Sequence, residues 1–168
     1  MVSMVEVGII SDTHDNIRAI ERAVELFNER KVDIVIHCGD YCAPFTARFF
    51  ARLKAKLLGC FGNCDGERHL LRERYEGIGA EIRGDFVELA LGGRNIAVVH
   101  GAIEPIVEAL ARCGRYDVVC RGHSHEAGAQ REGGALVINP GEACGYLSGS
   151  RTVAVIDLER LEAAIFRI

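Results

Sequence analysis

Five apolar runs in this chain each lead into or end on a side chain that can hold a metal ion: SDTH at 11–14, CGD at 38–40, GNCD at 62–65, Val99-His100-Gly101 and GHSH at 122–125. The runs, at 5–10, 33–37, 57–61, 96–100 and 117–120, are short, aliphatic and bounded by glycine or aspartate, as buried strands are. An open α/β sheet sets the carboxyl ends of its strands along one rim. Residues placed just after several such strands therefore meet in space although they are far apart in sequence.

Between the first two runs, Ile17, Ile20, Val24 and Phe27 recur at helical spacing, with Glu21, Glu25, Glu29 and Arg30 on the polar faces. The spacing predicts a helix over 15–30, capped by Asp15 or Asn16. Further helices are predicted over 44–53, 67–75 and 104–113, the last ended by Gly114. The first half thus reads β-α-β-α-β-α. From about residue 82 the rhythm changes, because 86–91, 95–99, 136–139, 152–157 and 163–168 are separated by mostly short turns rich in glycine. A single doubly wound sheet would leave these later strands without a partner, whereas two sheets packed face to face with helices outside would bury both sets. The expected fold is a four-layer α/β/β/α sandwich of two mixed β-sheets. With 168 residues and 49% hydrophobic content, one substantial core and a single domain over 1–168 are expected.

The first ten residues lack a basic flank and run into Asp12, so they read as a strand rather than a signal peptide. No apolar stretch approaches membrane-spanning length. A formal net charge of −4 offers no general attraction for nucleic acid, although a bound metal pair would attract phosphate locally. A cytoplasmic protein with neither membrane nor nucleic-acid partner is expected, its oligomeric state left open. Among the seven cysteines, Cys38-x3-Cys42 and Cys60-x3-Cys64 fall within loose zinc spacing. Cys60, Cys113 and Cys120 nevertheless sit inside strand or helix runs and read as small hydrophobes. An odd count without a secretion signal argues against a complete disulfide framework.

Asp12 and His14 alternate across Thr13, so an extended segment points both to one side. Alone, this pair is equally an Asx turn followed by a helix cap. Asp40 could bridge two cations with its two oxygens, Asn63 offers an amide oxygen, and His100, His123 and His125 offer imidazoles. A shared carboxylate holds two cations roughly 3.5–4 Å apart and leaves positions open to water and phosphate. Imidazole favours manganese, iron, cobalt, nickel or zinc over calcium or magnesium, and the residues do not choose among them. His37 reads as a packing residue and His69 as solvated. Arg18, Arg68, Arg72 and Arg121 read as solvated charges.

In the order D-x-H, G-D, G-N-x-D, H-G and G-H-x-H, the chain resembles the calcineurin-like metallophosphoesterase superfamily, and most of all its small YfcE-like phosphodiesterases. The resemblance runs from Val7 through NPGE at 139–142, and that family has the two-sheet sandwich. It implies two divalent metal ions, one held by Asp12, His14, Asp40 and His125 and the other by Asp40, Asn63, His100 and His123. It implies hydrolysis of a small phosphodiester by a metal-activated hydroxide. A phosphomonoesterase, a nucleotide hydrolase or a metal-binding scaffold of the same fold are the alternatives, since the superfamily includes a retromer subunit. Many members carry G-N-H-[DE], where this chain has Cys64. An inert thiol there would remove help to the leaving group and favour substrates with good leaving groups. Asp65 would fix the turn that presents Asn63, and Asn139-Pro140-Gly141 resembles the turn that shapes the substrate mouth. No long insertion remains to form a cap, so the mouth is expected to be open and shallow.

Overall fold

The protein is described over residues 5–168 in a computed structural model. Residues 1–4, on which part of the reading of the first ten residues as strand rather than signal peptide falls, lie outside the described residues. Among the described residues, eleven strands and four helices follow in the order β1 (Glu6–Ile10), α1 (Ile17–Arg30), β2 (Ile34–His37), α2 (Ala47–Phe50), β3 (Lys56–Gly59), α3 (Arg68–Glu76), β4 (Glu81–Ile82), β5 (Phe86–Leu91), β6 (Arg94–Val99), α4 (Glu104–Arg112), β7 (Val118–Cys120), β8 (Gly128–Glu132), β9 (Ala135–Asn139), β10 (Thr152–Asp157) and β11 (Glu162–Arg167). They form two mixed sheets, one ordered β11-β10-β1-β2-β3-β4 and the other β5-β6-β7-β9-β8.

Alternation of side chains across each strand builds the layers. Val7, Ile9, Ile36 and Leu58 of the first sheet meet Val87, Ile96, Val98, Val118 and Ile138 of the second in the central core. The opposite face of the first sheet, with Ile10, Val35, Leu57 and Val155, packs on Ile20, Val24 and Phe27 of α1, Phe50 of α2 and Leu71 of α3. Ala97, Val119 and Val137 cover the outer face of the second sheet and receive Val107 and Ala111 of α4. The four layers are those expected.

Three details differ from expectation. The β10–β11 hairpin belongs to the first sheet, where β10 pairs antiparallel with β1 and Val7 faces Ile156 in register. This covers the flank of β1, whose Val7, Ile9 and Ile10 are fully buried, so β1 is a central strand. The predicted helix over 44–53 is a 3-10 turn at Pro44–Thr46 followed by the single turn of α2, and neither start carries a side-chain cap. Strand β8 was not predicted because Gly128–Glu132 is polar and almost wholly exposed; its pairing with β9 is a matter of backbone alone. In the first half, parallel β1, β2 and β3 deliver their loops to one end. Parallel β6, β7 and β9 do the same in the second sheet. Backbone hydrogen bonds join these loops: Asp12 N donates to Gly39 O at 3.0 Å, Gly122 N to His100 O at 2.9 Å, and Ala143 N to Ser11 O at 3.0 Å.

Candidate metal centre

The loops after β1, β2, β3, β6 and β7 carry the seven predicted ligands, and five of the seven stand in the left-handed backbone region: Asp12 (φ 53°), His14 (38°), Asp40 (60°), His123 (70°) and His125 (61°). Side chains other than glycine resist this conformation, and such strain persists only where the surroundings over-determine it. Here the surroundings are the two buried carboxylates. Asp12 Oδ2 accepts the His123 amide at 3.1 Å, and Asp40 Oδ1 accepts the Cys64 amide at 2.9 Å. Each carboxylate thus spends one oxygen on holding a neighbouring loop and turns the other toward imidazoles.

Those second oxygens face a cluster of ring nitrogens. His125 Nε2 lies 3.1 Å and His14 Nε2 3.6 Å from Asp12 Oδ1; His100 Nε2 lies 3.3 Å and His14 Nε2 3.5 Å from Asp40 Oδ2. The far sides of the rings are held by other groups. His100 Nδ1 is 2.8 Å from the Cys38 carbonyl oxygen, and His125 Nδ1 is 2.8 Å from Glu142 Oε2. Both partners only accept, so Nδ1 carries a proton and Nε2 is the atom turned toward a carboxylate. Asp12 Oδ1, His14 Nε2 and His100 Nε2 are buried atoms with no hydrogen-bond partner. Imidazole nitrogens grouped around buried carboxylate oxygens, with atoms of both kinds left without partners, are an arrangement a cation satisfies, so the residues present fit divalent metal ions. Ligand atoms of Asp12, His14 and His125 lie within 4.8 Å of one another, as do those of Asp12, Asp40 and His100. Asn63 Oδ1 and His123 Nδ1 meet at 2.9 Å on the solvent side.

The charges respond to each other. Burial would raise Asp12 and Asp40, but contacts with His14 and His100 respectively outweigh it and hold both carboxyls below their usual range. His14 is raised, first by Asp12; His100 is pushed down by burial and more than restored by Asp40. His37 is a packing residue, as predicted: fully buried, stacked on Tyr41 at 3.7 Å, and driven down to about 3 by burial. Its Nδ1 accepts the Gly39 amide at 3.1 Å.

Two supporting carboxylates surround the cluster. Asp65 accepts the amides of Gly62 (2.7 Å), Cys42 (2.8 Å) and Asp40 (3.1 Å), which pins the turns carrying Asn63 and Asp40 together. Glu142, for which the sequence reading gave no role, is fully buried and accepts from Ser148 N, Leu147 N, Cys144 Sγ and the His125 ring. Burial alone would raise it; these donors prevail and bring it to about 2. Its signal in the sequence was a glutamate directly after the Asn-Pro-Gly turn. That turn also bears on the site, since Asn139 Nδ2 donates to Ser124 Oγ at 2.8 Å.

Arg121 corrects an expectation. It is 8% exposed, salt-bridged to Glu104, and donates to the carbonyl oxygens of Gly101 and Gly122 at 3.3 Å each, so it ties two ligand loops rather than lying on a solvated face. Cys113 is exposed, unlike Cys60 and Cys120, and all seven cysteines are free.

Residues 5–161 match the calcineurin-like phosphoesterase superfamily domain, and the chain belongs to that superfamily. It is 40% identical over 158 residues to a phosphodiesterase of Methanocaldococcus jannaschii, covering 94% of this chain and 95% of the relative. A solved structure described as a novel archaeal phosphodiesterase superposes with a TM-score of 0.93 at 38% identity, over 98% of this chain and all of that one (100%). YfcE, a phosphoesterase from E. coli, shares the fold with a TM-score of 0.71 at 19% identity, over 98% of this chain and 100% of its own. Among the described residues, no helix is long and apolar enough to cross a membrane.

Proposed function

We propose that this chain is a phosphodiesterase that works with two divalent cations, and that residues 1–168 form one metallophosphoesterase domain. The observation that carries the reading is the set of buried, unpartnered atoms Asp12 Oδ1, His14 Nε2 and His100 Nε2 grouped around Asp40. The activity named for the M. jannaschii relative supports it. Asp12, His14, Asp40 and His125 would hold one cation, and Asp40, Asn63, His100 and His123 the other, with manganese the first candidate and nickel, iron, cobalt or zinc compatible with the same donors. Bound there, divalent cations supply Lewis acidity to a phosphoryl oxygen and make water nucleophilic near neutral pH.

The protein's own groups prepare that chemistry. Cys38 O and Glu142 fix the tautomers of His100 and His125, and Asp65 keeps Asn63 and Asp40 in mutual reach. Among the described residues, no side chain is placed to act as nucleophile. Ser11 is fully buried against Gly39 O, and Ser124 Oγ is engaged by Asn139. Without cations, burial and then Asp40 push the Cys64 thiol up to about 12. Water is therefore the attacking group. Hydrolysis of bis-p-nitrophenyl phosphate by chelator-stripped protein, with each cation restored singly, tests the reading. Turnover that returns with a cation and is lost in Asp40→Ala is expected; a folded protein inactive with every cation would refute it.

A further inference from the structure

Helix α4 has two apolar faces, and the fold uses one. Val107 and Ala111 are buried against the second sheet. Ile103 at the helix N-cap, Ile106 and Leu110 follow at the spacing of a second stripe. Ile103 is 59% and Ile106 46% exposed. With Phe61 and Phe86 this stripe lines a cavity of about 430 Å³. The mouth beside the metal centre, expected to be open and shallow, therefore carries an apolar hollow on this side.

The cavity is continuous with the centre, because Asn63 and His100 belong to both. A phosphorus held at those two residues would stand at the cavity's edge, with room for one substituent to lie over Ile103 and Ile106. The single cation on the rim, Arg68, is already engaged. It pairs with Asp85 at 2.8 Å, donates to the carbonyls of Asp65 and Gly62 at 3.2 Å each, and lies over the Phe61 ring at 4.9 Å. A charged substituent would have to compete with the Arg68–Asp85 pair, whereas an uncharged ring would cover apolar surface that otherwise faces water.

We infer that this cavity is the subsite for one ester arm of the substrate, and that the arm is uncharged, apolar and of ring size, as in an aryl phosphodiester. The inference rests on the phosphodiesterase reading and adds a substrate class to it.

The test separates the two. The full chain restored with zinc, which is diamagnetic, and carrying 13C-labelled Ile, Leu and Val methyls is titrated with methylphosphonate, phenylphosphonate and 1-naphthylphosphonate. The aryl compounds are expected to shift the Ile103, Ile106 and Leu110 methyls and methylphosphonate to leave them in place. In parallel, the double variant Ile103→Ser, Ile106→Ser is expected to raise KM for bis-p-nitrophenyl phosphate about 10-fold with kcat within about twofold. Both positions are exposed, and an unchanged melting curve would show the variant folded. Turnover with an unaltered KM and no aryl-specific methyl shifts would overturn the subsite while leaving the phosphodiesterase intact. Absence of turnover with every cation would overturn the hydrolytic reading instead, and the methyl shifts would still decide the ligand class.

Discussion

Glu142 shows how much a single residue outside the ligand set can contribute. Its carboxylate, held ionised by four donors of which the His125 ring is one, orients that ring through Nδ1 and so turns Nε2 toward Asp12. Glu142→Gln keeps the shape but removes the charge; an expected loss of about 10–100-fold in cation affinity follows, measured by calorimetric titration of stripped protein. An affinity equal to that of the parent would show that the contact is incidental. Cys64 is the second residue to probe, since a thiol raised to about 12 gives a departing alkoxide little help. Cys64→His is expected to speed hydrolysis of alkyl p-nitrophenyl diesters little when the p-nitrophenolate leaves, and of dialkyl diesters by up to about 10²-fold. Equal gains on both would assign the change to binding rather than to proton transfer. The predicted ligands could be read from the sequence because each stands directly after an aliphatic run. Glu142 and Arg121 could not be read, since their partners His125 and Glu104 are brought to them only by the packing of separate loops.

At the scale of elements, the centre depends on strand ends approaching more closely than side chains allow. A Cβ at Gly122, just after β7, would stand 2.6 Å from Asp12 Oδ2 and collide with Ser11 Oγ. Gly122→Ala is therefore expected to destabilise the protein by about 2 kcal/mol, lowering Tm by roughly 4–8 °C. Gly128→Ala in β8, where a Cβ would meet nothing within 4 Å, serves as the comparison and should leave Tm within about 1 °C. Equal melting of the two variants would mean that the loops can separate without cost. Strands β1, β2, β3 and β6 were legible because Val, Ile and Leu fill them. The edge strand β8 and the two-residue β4 were not, because their pairing is made by backbone groups that leave no pattern in the side chains. The sandwich itself followed from the change of rhythm near residue 82, while the return of β10 and β11 to the first sheet depends on which flank of β1 needs covering.

For the molecule as a whole, the buried histidines make stability depend on pH in opposite senses. Without cations His14 and His100 stand above the ordinary imidazole value, the first through Asp12 and the second because Asp40 overcomes burial. Their contribution is complete below about pH 6.5 and is lost as pH rises through their folded values. His37 is the reverse case, since burial holds it at about 3. Its contribution is complete above about pH 6.5 and declines below, as the unfolded chain takes up a proton that the folded one refuses. The stripped protein should therefore melt highest around pH 6.5 and lower on either side between pH 5 and 8. Cation binding requires the same two imidazoles unprotonated, so loading should turn the alkaline limb upward and widen the gap between loaded and stripped forms from pH 6 to 8. Calorimetric melting of both forms across this range measures the effect. Parallel curves would exclude His14 and His100 as the groups at which protons and cations compete.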